Sequence, residues 1–193
     1  MRNTTSSRKR AILPPAVQRR LEAIQHLLPH LTPPPQRTLA LWCLGIQLAR
    51  SHALTLVRRL LAPLCPCHAN AIRKRLKTGY AQTRRTKRPL NVQSCLAALL
   101  RGITPDWSAP TLLLAMDTTP IRNRWIIRTV SVLDKKRAIP VAWRELAWDK
   151  QAWNPIWKQL LSALAPAFPP GVRVLVFADR GLYAPELFVY LQP

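Results

Sequence analysis

Apolar residues recur through the first hundred positions at the three-to-four-residue spacing of helices, and beyond position 110 they gather into short unbroken runs. Val17, Leu21, Ile24 and Leu28 share one helical face and predict a helix over 16–28. Pro33-Pro34-Pro35 reads as a hard break. A second helix, over 36–50, is apolar nearly all round and should be central to a small bundle. A third, over 53–62, carries Ala53, Leu56, Val57 and Leu60 on one side, with Arg58 and Arg59 off that stripe. A short helix over 69–77 follows, then one over 90–100 with Val92, Cys95, Leu96, Leu99 and Leu100 inward.

Gly102, Pro105 and Pro110 mark 102–110 as a linker. After it, 111–117 (TLLLAMD) fits a strand buried on both faces, and 124–133 (RWIIRTVSVL), rich in β-branched residues, fits a second. Asp134-Lys135-Lys136 is a polar turn into a third strand, 137–144, whose Pro140 removes a ladder donor and so assigns it to an edge. A helix over 154–165 has Asn154 as candidate N-cap, Pro155 in the first turn, and an apolar stripe of Trp153, Ile156, Trp157, Leu160 and Leu164. Residues 172–178 (VRVLVFA) read as a fourth, central strand, and another helix begins near Ala184. The fold class is therefore α+β: a flexible basic tail (1–15), a helical region (16–101), the linker and a mixed α/β unit (111–193).

Charge changes the picture. The net charge is +22, and it is lopsided: residues 1–101 hold 19 of the 30 Lys and Arg and a single acid, Glu22. Such a field favours polyanions, nucleic acid before an anionic membrane. The dense run Arg73, Lys74, Arg75, Lys77, Arg84, Arg85, Lys87 and Arg88 suits phosphates, and the predicted helices 53–62 and 69–77 have the order of a helix-turn-helix unit. Cys65-Pro66-Cys67-His68 lacks a second ligand pair at zinc spacing, and Cys43 and Cys95 stand apart, so idle thiols in a reducing cytosol are the expectation. The N-terminus has no signal-like apolar core, and Arg50 and His52 interrupt the longest apolar stretch, 39–64, which predicts a soluble cytoplasmic protein without a membrane partner.

The second half carries seven of the eight acids. If the two apolar runs are neighbouring central strands, each ends in an aspartate, Asp117 and Asp179. Adjacent strands lie about 4.8 Å apart, so the two carboxylates would share hard divalent cations, Mg²⁺ or Mn²⁺ in its place. The bland reading makes each a turn residue or a helix cap. Asp134 reads as a hairpin turn, Asp149 as a helix approach and Asp106 as a linker residue, while Glu22 and Glu145 should pair with nearby arginines. Trp125, Trp143, Trp148, Trp153 and Trp157 read as core or interface residues rather than base-stacking platforms.

Ala115-Met116-Asp117-Thr118-Thr119-Pro120 resembles the first acidic motif of bacterial DDE-type insertion-sequence transposases, and Ala178-Asp179-Arg180-Gly181-Leu182-Tyr183 resembles their second. The order of elements is similar to their ribonuclease H-like catalytic core behind a basic helical DNA-binding region. The resemblance implies Asp117 and Asp179 as catalytic, Mg²⁺-binding acids; Arg180, beside Asp179, suits equally a phosphate contact near the metals and a structural ion pair. It implies duplex DNA, both element ends and target, as partner, a homodimer as a compatible assembly, and a place at the bacterial nucleoid. The family's third acid, a Glu on a later helix, has no counterpart: Glu186 comes seven residues after Asp179, too early, and without the flanking pattern. The expectation is an N-terminal part of a transposase, truncated before the third acid, that binds DNA without efficient cleavage. Two alternatives remain, a ribonuclease H-like nuclease or resolvase and a non-catalytic DNA-binding protein derived from a transposase.

Overall fold

The computed structural model describes residues 13–65, 68–80, 90–148, 153–180 and 185–192, without the side chains of Tyr80 and Trp153. The chain forms two compact units, Met1–Leu90 and Asn91–Pro193. The tail 1–12, the arginines and lysines at 84–88, and Asp149 lie outside the described residues.

The first unit is helical: α1 (Pro15–Leu27), α2 (Pro33–Ala49), α3 (Leu54–Leu61) and α4 (Ala69–Tyr80). The proline triplet is not a break; it forms the first turn of α2, where the missing N–H groups have no helical partner to lose and φ is preset. Arg50 ends α2 in the left-handed conformation (φ 47°), and the chain turns by 96° into α3. That bend separates the apolar stretches, and among the described residues no single helix is long and apolar enough to cross a membrane.

Val17, Leu41, Leu44, Val57, Leu61, Ile72 and Leu76 make one buried cluster drawn from all four helices. α2 is one-sided rather than apolar all round in its environment, since Ile46 and Leu48 are exposed. Gly45 lets α3 come close: a Cβ there would collide with Val57 and meet Leu61 Cδ1 at 3.0 Å. Three polar ties fix the other helix–helix approaches. Arg20 donates twice to Gln47 Oε1 (3.1 and 2.7 Å), buried Gln36 donates to the Leu28 carbonyl at 3.1 Å, and Trp42 Nε1 donates to the Leu76 carbonyl at 3.1 Å.

The second unit begins with a 3-10 turn, Val92–Cys95, and α5 (Leu96–Ile103), then β1 (Thr111–Ile121), β2 (Trp125–Asp134), β3 (Arg137–Ala147), α6 (Trp153–Leu164), β4 (Arg173–Ala178) and α7 (Pro185–Leu191). The expected helix over 90–100 thus belongs here and not to the basic region: Leu96 and Leu100 pack with Leu112, Leu114, Val130, Trp157, Leu160 and Leu164. The division of the chain falls at Leu90/Asn91 rather than within 102–110.

The sheet order is β3-β2-β1-β4, with β1 antiparallel to β2, β2 antiparallel to β3, and β4 parallel to β1. The proline strand is an edge, as its missing donor requires: Pro140 pairs with Ser131 beside a register shift at Val130/Ser131. Among the described residues β4 is the other edge and not central; it pairs with β1, and Leu175 and Phe177 are exposed. Its apolar run reads like a buried strand because sequence does not distinguish a face covered by a helix from one left open.

Both hairpin loops use left-handed residues other than glycine. Lys135 and Lys136 (φ 45° and 67°) form the two-residue turn between β2 and β3, the double positive φ that matches strand twist. Arg122 and Asn123 (φ 48° and 51°) turn β1 into β2, closed by Arg124 N donating to Ile121 O at 3.0 Å. α6 buries Trp157, Leu160, Leu161 and Leu164 against the sheet, each side chain worth about 1.5–3 kcal/mol. Asn154 is not a cap: it lies in the first turn of α6 and donates to Glu186 Oε2 of α7 at 3.0 Å.

Candidate functional site

Strand alternation sorts β1 into two faces. Leu112, Leu114 and Met116 are buried in the core shared with α5 and α6, while Asp117 and Thr119 lie on the opposite face and are exposed. β1 does not stop at Asp117, because the hairpin carries it on to Ile121. The parallel register ends with Met116 paired to Ala178, so Asp117 follows that last pair on β1 and Asp179 is the first residue after β4. Leu175 and Phe177 of β4 alternate onto the same face as Asp179. Two exposed carboxylates thus follow the last paired residues of neighbouring strands, which lie about 4.8 Å apart. Thr119 Oγ1 donates to Asp117 Oδ2 at 3.1 Å, which orients that carboxylate and leaves its other oxygen for a cation.

The oxygen donors suit a hard divalent ion. Mg²⁺ keeps most of its waters and is held by one or two carboxylates plus substrate phosphate, which is the donor set two aspartates can complete. Among the described residues no group of three or more His, Cys, Asp or Glu could hold a metal. Glu186 is engaged by Asn154. Glu145 faces Ile127 across β2 and β3, and Glu22 accepts from Gln18 Nε2 at 2.9 Å; among the described residues neither forms the expected ion pair with an arginine.

Of the basic residues expected at phosphates, Arg73, Lys74, Arg75 and Lys77 are exposed on α4 while Ile72 and Leu76 anchor its inner face. On α3, Arg59 is exposed and Arg58 half-buried, with Val57 and Leu61 inward. These six cations sit in the first unit; Arg84, Arg85, Lys87 and Arg88 lie outside the described residues. Arg180, next to Asp179, is exposed in the second unit.

No family model, curated protein or solved structure matches the chain. The site therefore stands on its own residues.

Sequence reading missed Arg128. It is fully buried on the core side of β2, pairs across the strands with Thr118, and its guanidinium lies 5.9 Å over the Trp157 ring. Burial pulls its pKa below the usual arginine value. The signal that could have found it was an arginine at an inward position of an apolar strand, RWIIRTVSV, two residues from Ile126 and Val130. Cys43 is exposed, Cys65 half-buried and Cys95 buried, and Cys67 lies outside the described residues.

Proposed function

We propose that this protein is a DNA-binding protein of the DDE-transposase kind, in which the helical unit holds duplex DNA and the second unit is a ribonuclease H-like core with a two-aspartate metal site. The observation that supports the reading is the parallel pairing of β1 with β4, whose last pair, Met116 with Ala178, is followed on each strand by an aspartate, Asp117 and Asp179. Two acids so placed in a protein of net charge +22 are suited to a phosphodiester. Asp117 and Asp179 would hold Mg²⁺ or Mn²⁺, which when bound neutralises phosphate charge and acidifies water. Thr119 holds one oxygen of Asp117 in place, and Arg180 supplies a cation beside the acids for a non-bridging phosphate oxygen. The exposed cations of α3 and α4 contact the sugar-phosphate backbone and position the duplex without reading its sequence.

With two carboxylates, residues 1–193 bind DNA and hold a cation weakly but do not cut efficiently. The test is a set of three measurements on the full chain: duplex binding, Mn²⁺ binding by electron paramagnetic resonance, and cleavage with strand transfer. Duplex binding together with Mn²⁺ binding lost in Asp117→Ala and Asp179→Ala is the expected result. Efficient cleavage that Asp117→Ala abolishes would overturn the inactivity. Cleavage without end joining would favour a simple nuclease. DNA binding with no cation effect from either aspartate would leave a non-catalytic DNA-binding protein.

A further inference from the structure

Of the tryptophans expected in a core or an interface, Trp125 and Trp148 do not lie in the core and are 45% and 49% exposed. Trp157 is buried, as expected, at 1%. Trp125 opens β2 and pairs directly with Ile121 at the end of β1, itself 38% exposed. The β1–β2 register runs unbroken from Leu114↔Val132 to Ile121↔Trp125, so Asp117, Thr119, Ile121 and Trp125 all lie on one face of the sheet. Four residues at about 3.4 Å each put Ile121 roughly 14 Å beyond Asp117, and Trp125 one strand to the side.

Three features of this tip point to a nucleic-acid strand. A half-exposed indole leaves apolar ring surface in water that a stacked base would cover, and any base offers a π-face. The loop beside it carries Arg122 and Arg124, both exposed, and Arg122 is locked in a left-handed turn that projects from the sheet end. The tip is also rigid for a hairpin end, since Trp148 N donates to Arg124 O at 3.0 Å and brings the third strand alongside. The one acid on this face of β3 is Glu145, opposite Ile127 and so farther from the loop than Trp125.

We infer that Trp125 is a base-stacking site and that Arg122 and Arg124 hold the flanking phosphates of a single-stranded or frayed nucleic-acid segment running from the tip toward Asp117. This inference rests on the nucleic-acid reading above. It adds a contact to bases, made by the second unit itself, on the path to the acids.

The experiment compares two oligonucleotides of equal length and charge, one carrying bases and one abasic, by fluorescence anisotropy with the full chain at moderate salt. A blunt duplex is the third ligand. The parent protein should prefer the base-bearing strand by about tenfold. Trp125→Ala should abolish the preference and leave duplex affinity unchanged, while Trp125→Phe should retain most of it. Because Trp125 is about half exposed and lies outside the buried core cluster, its variants should keep the parent's circular dichroism spectrum and melt within a few degrees of it. A parent with no preference, or a preference that Trp125→Ala does not reduce, overturns the stacking site even if duplex binding persists. Loss of self-association in Trp125→Ala without loss of strand preference also overturns it, in favour of a protein contact. If the parent binds none of the three ligands, the nucleic-acid reading itself fails and takes this inference with it.

Discussion

Replacing Gly45 with alanine sets two effects of opposite sign against each other. In an open helix the change should help by about 1 kcal/mol, because alanine loses less backbone freedom than glycine. Gly45 is not in an open helix: its added Cβ would collide with Val57 and sit 3.0 and 3.3 Å from Leu61 Cδ1 and Cγ. Val57 and Leu61 are both 0% exposed, so neither has an empty direction in which to move. Forcing one methyl into such a core costs about 1–3 kcal/mol. The net expectation is a loss of about 1 kcal/mol, which lowers the melting temperature of a unit this size by roughly 4–8 °C. Chemical and thermal unfolding of the full chain, followed by circular dichroism, would measure it, with the transition of each unit fitted separately. The decisive comparison is a double-mutant cycle. In a Val57→Ala background the obstruction is gone, and Gly45→Ala should become stabilising by up to about 1 kcal/mol. A parent background in which Gly45→Ala raises stability would refute the close α2–α3 approach, and so would a cycle with no coupling.

Other outcomes can be checked independently. Changing Arg73 and Lys77 to glutamine should weaken duplex binding whatever the sequence. It should also reduce the slope of log affinity against log salt by about 0.9 for each phosphate no longer neutralised, measured by anisotropy titration at several salt concentrations. Trp157→Ala, which empties the centre of the core beneath the sheet, should cost about 3–5 kcal/mol in denaturant unfolding of the second unit. Lys135→Asn with Lys136→Gly should raise the melting temperature of that unit, because each lysine is held at a positive φ that costs about 1 kcal/mol.

Element type was legible where periodicity and local chemistry agree. The stripe of Ile156, Trp157, Leu160 and Leu164 predicts α6, and Pro140 assigns β3 to an edge through a missing donor, which is a local property. The prolines at 33–35 misled because the same ring that breaks a helix interior suits a first turn, and only the following residues decide which applies. The edge position of β4 was hidden because Val172 to Ala178 has the composition of a strand covered on both sides. The adjacency of β1 and β4 was inferable from topology, and it brings the strand ends before Asp117 and Asp179 together as the pair Met116 and Ala178. Thr119 as the partner of Asp117 follows from alternation once β1 is known to continue past the acid, and the predicted strand stopped two residues short of it. Exposure at Trp125 depends on how far a hairpin extends beyond the layers that cover it, which composition does not encode.

The two aspartates reach each other by the slowest kind of pairing in the sheet. β1, β2 and β3 are joined by short turns, so their ladders close over small loops and can form early in folding. β4 begins about fifty residues after β1 ends, and among the described residues it lies at an edge with a single partner strand. Loop closure of that length gives up entropy that nearby pairings do not, so β4 is expected to dock last, which amide exchange of β4 measured against β2 would check. Opening it would carry Asp179 away from Asp117 while both hairpins stay intact. Anything that adds a strand or a ligand to the free side of β4 would therefore act on the acids as well, by setting how much of the time the pair exists at all.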